Sequence, residues 1–561
     1  MIDPESIWRS AAYRHPLPWD TVFPALSLVE MFEASVAKHA DRSLIDFLGR
    51  RYSYAETMDG ASRVATGLAQ LGFGPGDRIG LFLPNVPHYV AAYFGILKLG
   101  AIVVNFSPLY TVQELAAQVA DSGTRALFTL SASALLPNAL SVLDQSQLER
   151  LIVGSVAGAL PPTKSVLYRL FKGKEVTRRP DDPRITAFSQ LIANDGAAAF
   201  PAIDAVDRVA VIQYTGGTTG TPKGAMLTHQ NLSANARQTQ GLDPDPGGED
   251  RIIGVLPLFH VFANTCVMNR TIANGGTIVM LPRFDGGQVL AAIARTSATA
   301  LPGVPTMYQA LLDHPALPGA HLATLKYCIS GGAPLPAEVQ AKFESATGAR
   351  VIEGYGLSES SGVVSCNPYA LAGKLGTIGQ PIPATRVRLV DKEDPTRPPR
   401  EGEPGEIVVS GPQIMKGYWN RPSADSDVFV DGWLRTGDVG EIDEDGFIHV
   451  VDRLKDMIAV SGFKVFPSQI EAFLYKHPAV KEALVIGVPD VYRGEQPRAY
   501  VTLNDDASVT AEELRAWLNQ RLGHHERVDQ VVIRVSLPKT LVGKLSRKEL
   551  LSEVSAEAAG T

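Results

Sequence analysis

The amino-acid sequence predicts an α/β protein. A large N-terminal domain of helix-covered, mostly parallel sheets carries a β-rich subdomain and is followed by a small α+β C-terminal domain. Three observations predict this. Helix and strand patterns alternate up to about residue 376, the rhythm of a parallel sheet with helices on both faces. Beyond it, strand-like runs separated by Gly, Pro and Asp turns take over. After the charged junction VDRLKDMI, Val451 to Ile458, a fresh compact α+β pattern begins. We place a hinge in that junction, with residues 1–454 before it and 455–561 after it.

The elements follow in order. SLVEMFEASVAKHA reads as a helix with Leu28, Met31, Phe32 and Val36 on one face. The turn GPGD leads into the buried strand RIGLFLP, Arg78 to Pro84. VPHYVAAYFGILKLG is a helix ending at Gly100, and AIVVNF is the next strand. Lys98 and Gly100 interrupt this apolar run, so it reads as helix plus strand and not as a membrane span, which needs about 20 mostly apolar residues. YTVQELAAQVADSG is a helix and RALFTL a strand; the pattern resumes at RVAVIQY and continues past GARVIEGYG. RVRLVD, GEIVVSG and GFIHVVD are strands of the β-rich part. In the C-terminal part FPSQIEAFLYKHP and ASVTAEELRAWLNQRL are helices, and ALVIGVP, RAYVTL and QVVIRV are strands.

The 561 residues are 45% hydrophobic and 20% charged, ordinary globular composition, with a net charge of -7. This balance lacks the basic character of a nucleic-acid binder. Cys266, Cys328 and Cys366 share no CxxC spacing and read as reduced cysteines, not a disulfide frame or zinc site. The first twenty residues lack a signal-peptide pattern, and the terminal EAAGT carries no peroxisomal or lipidation signal. The expectation is a cytoplasmic protein.

The chemistry is concentrated first in YTGGTTGTPKGAMLTH, Tyr214 to His229. Gly216, Gly217 and Gly220 let backbone N–H groups approach anionic oxygens, Thr215, Thr218 and Thr219 add hydroxyls, and Lys223 adds a charge. We read the stretch as strand, phosphate loop, helix, with the N-terminus of the following helix favouring the anion. It is not a Walker A loop, because Lys223 lies between Pro222 and Gly224 with no Ser or Thr after it.

YTGGTTGTPKG resembles the signature loop of the adenylate-forming enzymes, and the GGTTG variant resembles that of bacterial long-chain fatty-acid–CoA ligases. Further motifs extend the resemblance over nearly the whole chain. SGGAPL, containing Gly331, Gly332, Ala333 and Pro334, is similar to the adenine-side turn. EGYGLSES is similar to the next motif, with Glu353, Gly354, Tyr355, Gly356 and Ser358 around the adenine and Glu359 holding Mg²⁺ together with Thr215. Ser358 stands where the family usually has threonine. WLRTGDVG places Asp438 on the ribose, and DRLKDMIAVSGFKVFPSQIE adds Arg453 on the ribose and Lys455 as pivot. Asp452 stands where the family often has glycine. PKTLVGKLSRKEL places the catalytic lysine at Lys544.

The resemblance implies the adenylate-forming fold with a mobile C-terminal domain, ATP and Mg²⁺, and coenzyme A as acceptor. A carboxylate would take AMP from ATP, with Lys544 and Mg²⁺ stabilising charge on the α-phosphate. The domain would then rotate, withdrawing Lys544 and bringing Ser461, Gly462 and Phe463 to the pantetheine tunnel. PLFHVFAN carries His260 where amino-acid-activating relatives carry aspartate, which argues against amino acids; its family role is to shape the path between acyl group and thiol. Acetate-specific relatives close the pocket with tryptophan where Gly356 stands, so glycine leaves depth for a longer chain. Gly303, Val304 and Pro305, in GVPTMY, would line that pocket, and Asn264 stands where one long-chain relative has a tryptophan gate.

The first expectation is therefore a medium- to long-chain fatty-acid–CoA ligase. An aryl or other acid–CoA ligase and a fatty-acyl-AMP ligase loading a carrier protein are the alternatives. A silent scaffold would predict loss of Lys544, Glu359 or the loop threonines, and all are present. KSVLYRLFKGKEVTRR, residues 164–179, mixes basic and apolar residues suited either to an anionic membrane at the inner surface or to a helix packed on the domain. A homodimer is compatible with the sequence, and a nucleic-acid partner is not expected.

Overall fold

The structure is a computed structural model describing residues 4–171, 175–215, 222–245, 249–371, 373–461, 463–504, 507–540 and 543–559. Among these residues, two large sheets position everything else. The eight-stranded sheet has a parallel core in the order Val209–Thr215, Ile102–Asn105, Arg78–Leu81, Ala126–Leu130, Arg150–Gly154, Ile185–Ala187. The nine-stranded sheet has a parallel core in the order Arg350–Tyr355, Tyr327–Gly331, Ala300–Gly303, Arg251–Gly254, Thr277–Met280, Ser43–Phe47, with antiparallel edges. These strands are continuous apolar runs because both faces are covered.

The helices start where the sequence caps them. Ser27 with Glu30, Ser53 with Glu56 and Thr111 with Glu114 each form a reciprocal capping box. The apolar run from Tyr89 divides as expected, into the helix Pro87–Lys98 and the strand Ile102–Asn105. No described helix is long and apolar enough to cross a membrane.

The β-rich part is a five-stranded antiparallel sheet containing Arg386–Val390, Gly405–Ser410, Trp433–Ile442 and Ile448–Arg453. The small C-terminal domain has its own sheet, centred on the long pair Val480–Asp490 and Gly494–Leu503, and its own core around Val460, Ile470, Val485 and Leu514. Its second helix is shorter than the sequence pattern, Ala511–Asn519, because Thr510 caps it.

One local expectation fails. The phosphate loop is not followed by a helix but by a strand, Lys223–Thr228, antiparallel to Val209–Thr215 with Thr215 opposite Lys223 and Val209 opposite Thr228. The helix His229–Gln240 begins at the far end of this hairpin, about 20 Å of strand from the loop. Its N-terminal dipole does not serve the phosphates, and the N–H of Asn231 is already taken by Thr228. KGAMLT carries no period-two alternation, its burial running in pairs, so the strand gave little signal in the sequence.

Candidate active site

Parallel strands of both large sheets end at one cleft, as ligands favour in such folds. Thr215 closes one strand; Gly331 and Tyr355 close two of the other sheet. Together with Lys223, His260, Glu359, Arg453 and Lys544, several of these line a cavity of about 390 Å³.

At the phosphate end, Thr215 and Lys223 are cross-strand partners, so their side chains emerge at the same level. Gly216, Gly217, Thr218, Thr219 and Gly220 lie outside the described residues. Sequence reasoning missed Tyr418. Its O–H donates to Glu359 Oε1 at 2.7 Å, and Lys223 Nζ stands 5.2 Å from the centre of its ring. Tyr418 sits on Gly417–Tyr418, which pairs with the Lys223 strand, so one edge strand joins the lysine to the carboxylate. Glu359 and Thr215 both line the cavity. One carboxylate and a hydroxyl fit Mg²⁺, which keeps several waters and takes its other ligands from substrate phosphates.

Where the sequence motifs lead one to expect the nucleoside, strand register sets the geometry. Asp438 and Arg453 face each other across the antiparallel pair, and Arg453 Nε meets Asp438 Oδ1 at 2.8 Å. Tyr355 O–H donates to the other oxygen of Asp438. Glu353 accepts from the Leu335 N–H at 3.1 Å and so braces the SGGAPL turn that contains Ala333 and Pro334; burial pushes its carboxyl up to about 8. Gly354 and Ser358 line the cavity. Gly356 does too, but its glycine has a backbone cause. A Cβ there would lie 2.1 Å from the Gly362 carbonyl oxygen, so any side chain at 356 must first displace that segment. Pocket depth alone does not explain the residue.

Lys544 is inside the cleft. Gly332, at φ +81°, makes room for it: a Cβ on Gly332 would lie 2.4 Å from Lys544 Cε and 2.6 Å from Nζ. Burial, and then the nearby Arg453, bring the Lys544 ammonium down to about 8. Its loop is anchored by Thr306, whose hydroxyl donates to the Gly543 carbonyl at 2.9 Å. Three residues on, Arg547 bonds Glu471, Ser468 and Asp456. It also reaches Asp452 at 3.6 Å. Asp452, the departure from the family pattern, is buried and accepts the N–H groups of Ser468 and Arg453. Here the departure is a tie between the junction and the C-terminal helix.

Lys455 lies in the single turn Leu454–Asp456 between the two domains' sheets; burial, followed by Arg453, lowers its ammonium. Ser461 and Phe463 do not line the cavity with Lys544 in place. Phe463 is 53% exposed and stacks on His525 at 3.6 Å between ring centres. Gly462 lies outside the described residues.

Much of the rest of the cavity lining is apolar. His260 also lines the cavity, its Nδ1 accepting from the Phe262 N–H at 3.3 Å, which leaves the proton on Nε2. Burial, with Lys544 adding, brings its imidazole down to about 3, so it is neutral and a weak base. The helix after it unwinds to a π-helix over Asn264–Asn269, which lines the cavity through Cys266. Asn264 is buried and accepts from Tyr93 and Asn269. Leu242, Ile252, Ile329 and Val363 supply the apolar wall. Gly303, Val304 and Pro305 do not line the described cavity; Pro302 does, and the segment after it docks the Lys544 loop instead. Cys266, Cys328 and Cys366 are free and buried.

Comparison with known proteins agrees with this geometry. Residues 32–419 match the AMP-binding enzyme family model and residues 469–544 match the AMP-binding enzyme C-terminal domain. The long-chain-fatty-acid–CoA ligase of Bacillus subtilis (strain 168) is 39% identical over 547 residues, 97% of both chains. A feruloyl-CoA synthase of Amycolatopsis sp is 36% identical over 503 residues, 90% of this chain and 94% of that one. Among solved structures, ATP-bound MatB from Rhodopseudomonas palustris superposes with a TM-score of 0.82 at 28% identity, covering 94% of this chain and 99% of that one. With both of its domains matched, the chain belongs to the AMP-binding enzymes, the adenylate-forming superfamily.

Proposed function

We propose that the chain activates a medium- or long-chain fatty acid with ATP and transfers the acyl group to coenzyme A, releasing AMP and pyrophosphate. The observation that carries this reading is Lys544 seated against Gly332 in the one cavity that Lys223, Glu359, Arg453, His260 and several apolar side chains also line. The 39% identity with a long-chain-fatty-acid–CoA ligase supports the substrate class.

In the first half-reaction a carboxylate oxygen attacks the α-phosphorus, and the bond to the pyrophosphate oxygen breaks. The nucleophile is already anionic, so no general base is needed. Lys544 meets charge on the α-phosphate, Lys223 meets the leaving pyrophosphate, and Asp438 with Arg453 fixes the ribose. Mg²⁺, held by Glu359 and Thr215, would neutralise phosphate charge. In the second half-reaction a thiolate attacks the acyl carbon and AMP leaves. His260, on the cavity wall, shapes the route between acyl group and thiol.

The domain boundary at residues 454 and 455 belongs to this reading. Lys455 is the pivot about which Lys544 leaves and Ser461 to Phe463 enter. Lys455→Pro is expected to spare pyrophosphate release and to slow thioester formation; unchanged thioester kinetics would count against the pivot.

A second surface supports delivery of the acid from a membrane. The helix Pro162–Phe171 exposes Val166, Leu167, Leu170 and Phe171, the last at 78%. Such a patch, in a stretch of sequence that also carries Arg178 and Arg179, suits an anionic bilayer at the inner surface of a cytoplasmic compartment. Salt-sensitive sedimentation with anionic liposomes tests it.

The whole reading is tested by incubating the protein with ATP, Mg²⁺ and CoA over a panel of aliphatic and aromatic acids and identifying products by mass. Aliphatic thioesters are expected. Feruloyl-type thioesters in their place would favour the aryl alternative, and AMP-linked products without thioester the carrier-protein one.

A further inference from the structure

One stretch of the cavity wall is held by side chains that do not themselves line the cavity. Gly362 and Val363 line it, and Val363 packs in one apolar cluster with Leu242, Cys266, Cys366 and Tyr369, which line it too. Of the three reactants the fatty acid has the long apolar part, so this patch suits its hydrocarbon.

Asn235, on the helix His229–Gln240, is fully buried. Its Oδ1 accepts the Val363 N–H at 3.0 Å, and its Nδ2 donates to the Val363 carbonyl at 2.9 Å. One amide side chain thus does for Val363 what a neighbouring strand does for a strand residue. Nδ2 also donates to Gln238 Oε1 at 3.1 Å, and Gln238 in turn donates to the Pro383 carbonyl at 2.6 Å. Turning the Asn235 amide over would set donor against donor at Val363, so its orientation has one solution.

The rest of the segment has little slack. Thr265, in the π-helical turn, donates to the Ser361 carbonyl, and the Ser361 hydroxyl donates to the Gln413 carbonyl at 2.9 Å. Ser361 is held at φ +58°, which a non-glycine residue keeps when its surroundings fix it. A Cβ on Gly356 would lie 2.1 Å from the Gly362 oxygen and 2.8 Å from Val363 Cα, so the segment is also closed on that side. Asn235 does not line the cavity, so the space it fills lies outside it.

Resting on the acid–CoA ligase reading, we infer that Asn235 is a positioning residue for the choice of acid. It fixes where Val363 stands in the wall and so sets the width of chain the cavity accepts. With Asn235 truncated, two backbone groups of Val363 lose their partner and a void opens next to them. The segment relaxes into that void and the cavity widens. Unbranched acids are favoured while the clamp is in place, and methyl-branched acids gain when it is released.

The test uses the full-length protein with ATP, Mg²⁺ and CoA. Unbranched and mid-chain methyl-branched saturated acids of matched length are compared, reading kcat/KM for thioester and KM for ATP. Asn235→Ala is expected to raise the branched-to-unbranched ratio about tenfold, the weight of one methylene in a packed pocket, and to leave KM for ATP nearly unchanged. Val363→Ala, which trims the wall with the clamp intact, should raise the ratio likewise. Adding Asn235→Ala to it should raise the ratio little further, because both changes act on one wall. Asn235→Asp keeps the acceptor for the Val363 N–H but sets an oxygen against the Val363 carbonyl. It should shift the ratio in the same direction and is read where the alanine variant does not fold. A loss of turnover shared by all acids, with the ratio unmoved or lower, means that Asn235 serves the fold alone and overturns the inference. An unmoved ratio in Val363→Ala also overturns it, because that wall then does not select the acid. A raised KM for ATP with the ratio unmoved overturns it by assigning the segment to the nucleotide. In all three cases the ligase reading stands. Absence of thioester from every aliphatic acid with the wild-type protein overturns both.

Discussion

In the part of the cleft assigned to the nucleotide, two pairs of side chains are set opposite one another across a sheet. Thr215 is opposite Lys223, and Asp438 is opposite Arg453. At the acyl end, the wall is drawn from a helix terminus, a loop, a π-helix and strand interiors, through Leu242, Ile252, Cys266, Ile329 and Val363. The first end is positioned by backbone register, the second by side-chain packing. Register is discrete, whereas packing is adjustable by single methylenes. An enzyme built this way keeps one chemistry while its choice of acid can drift.

The contrast makes separate predictions for the two ends. Lys544→Ala should show the largest effect. Loss of one preorganised charge partner costs about 2.7–4 kcal/mol, roughly a hundred- to a thousandfold in adenylation, and should do so equally for every acid. Thioester formation from supplied acyl-adenylate should survive, and parallel loss of both half-reactions would break the assignment. Gly332→Ala should approach the same deficit, because the added methyl takes the space of Lys544 Cε. Wild-type-like pyrophosphate release in that variant would mean the lysine enters by another route.

Ile329→Trp acts on the other end. It should lower kcat/KM for the longest acids by about tenfold or more while shorter acids and the KM for ATP change little. A uniform fall across all lengths would erase the distinction between the ends.

The smallest effects concern pH and Tyr418. Lys544 is lowered to about 8, and its charged form is the useful one, so adenylation should fall as pH rises through 8. Thioester formation, which needs thiolate and not Lys544, should rise over the same interval. Tyr418→Phe removes one hydrogen bond to Glu359 and should raise the Mg²⁺ requirement a few-fold, read by titrating the metal at fixed ATP.

The same contrast explains what could be read from the sequence. The motifs assigned to the nucleotide are short and contiguous, so each could be picked out alone, and Thr215, Glu359, Thr436 and Lys544 from four of them line one cavity. The β-rich part and the C-terminal α+β unit were legible from turn spacing. The strand Lys223–Thr228 was missed because the glycine-rich loop before it and the capped helix after it masked its six residues. Tyr418 was missed because a two-residue edge strand has no periodicity. Gly303 to Pro305 were assigned to the acyl wall on resemblance, but the strand delivers Pro302 there and turns the rest toward Gly543.

The π-helical turn Asn264–Asn269 has a consequence for how specificity can change. An α-helix advances about 100° per residue, and a π turn holds one residue more than an α turn. The wider turn absorbs its extra residue, so removing one residue from this stretch would restore α geometry and leave the residues after it in nearly their present phase. The change would fall on the turn itself, where Cys266 lines the cavity. A single-codon deletion would thus recut the acyl wall at one place, with the helix beyond it and the nucleotide motifs left as they are.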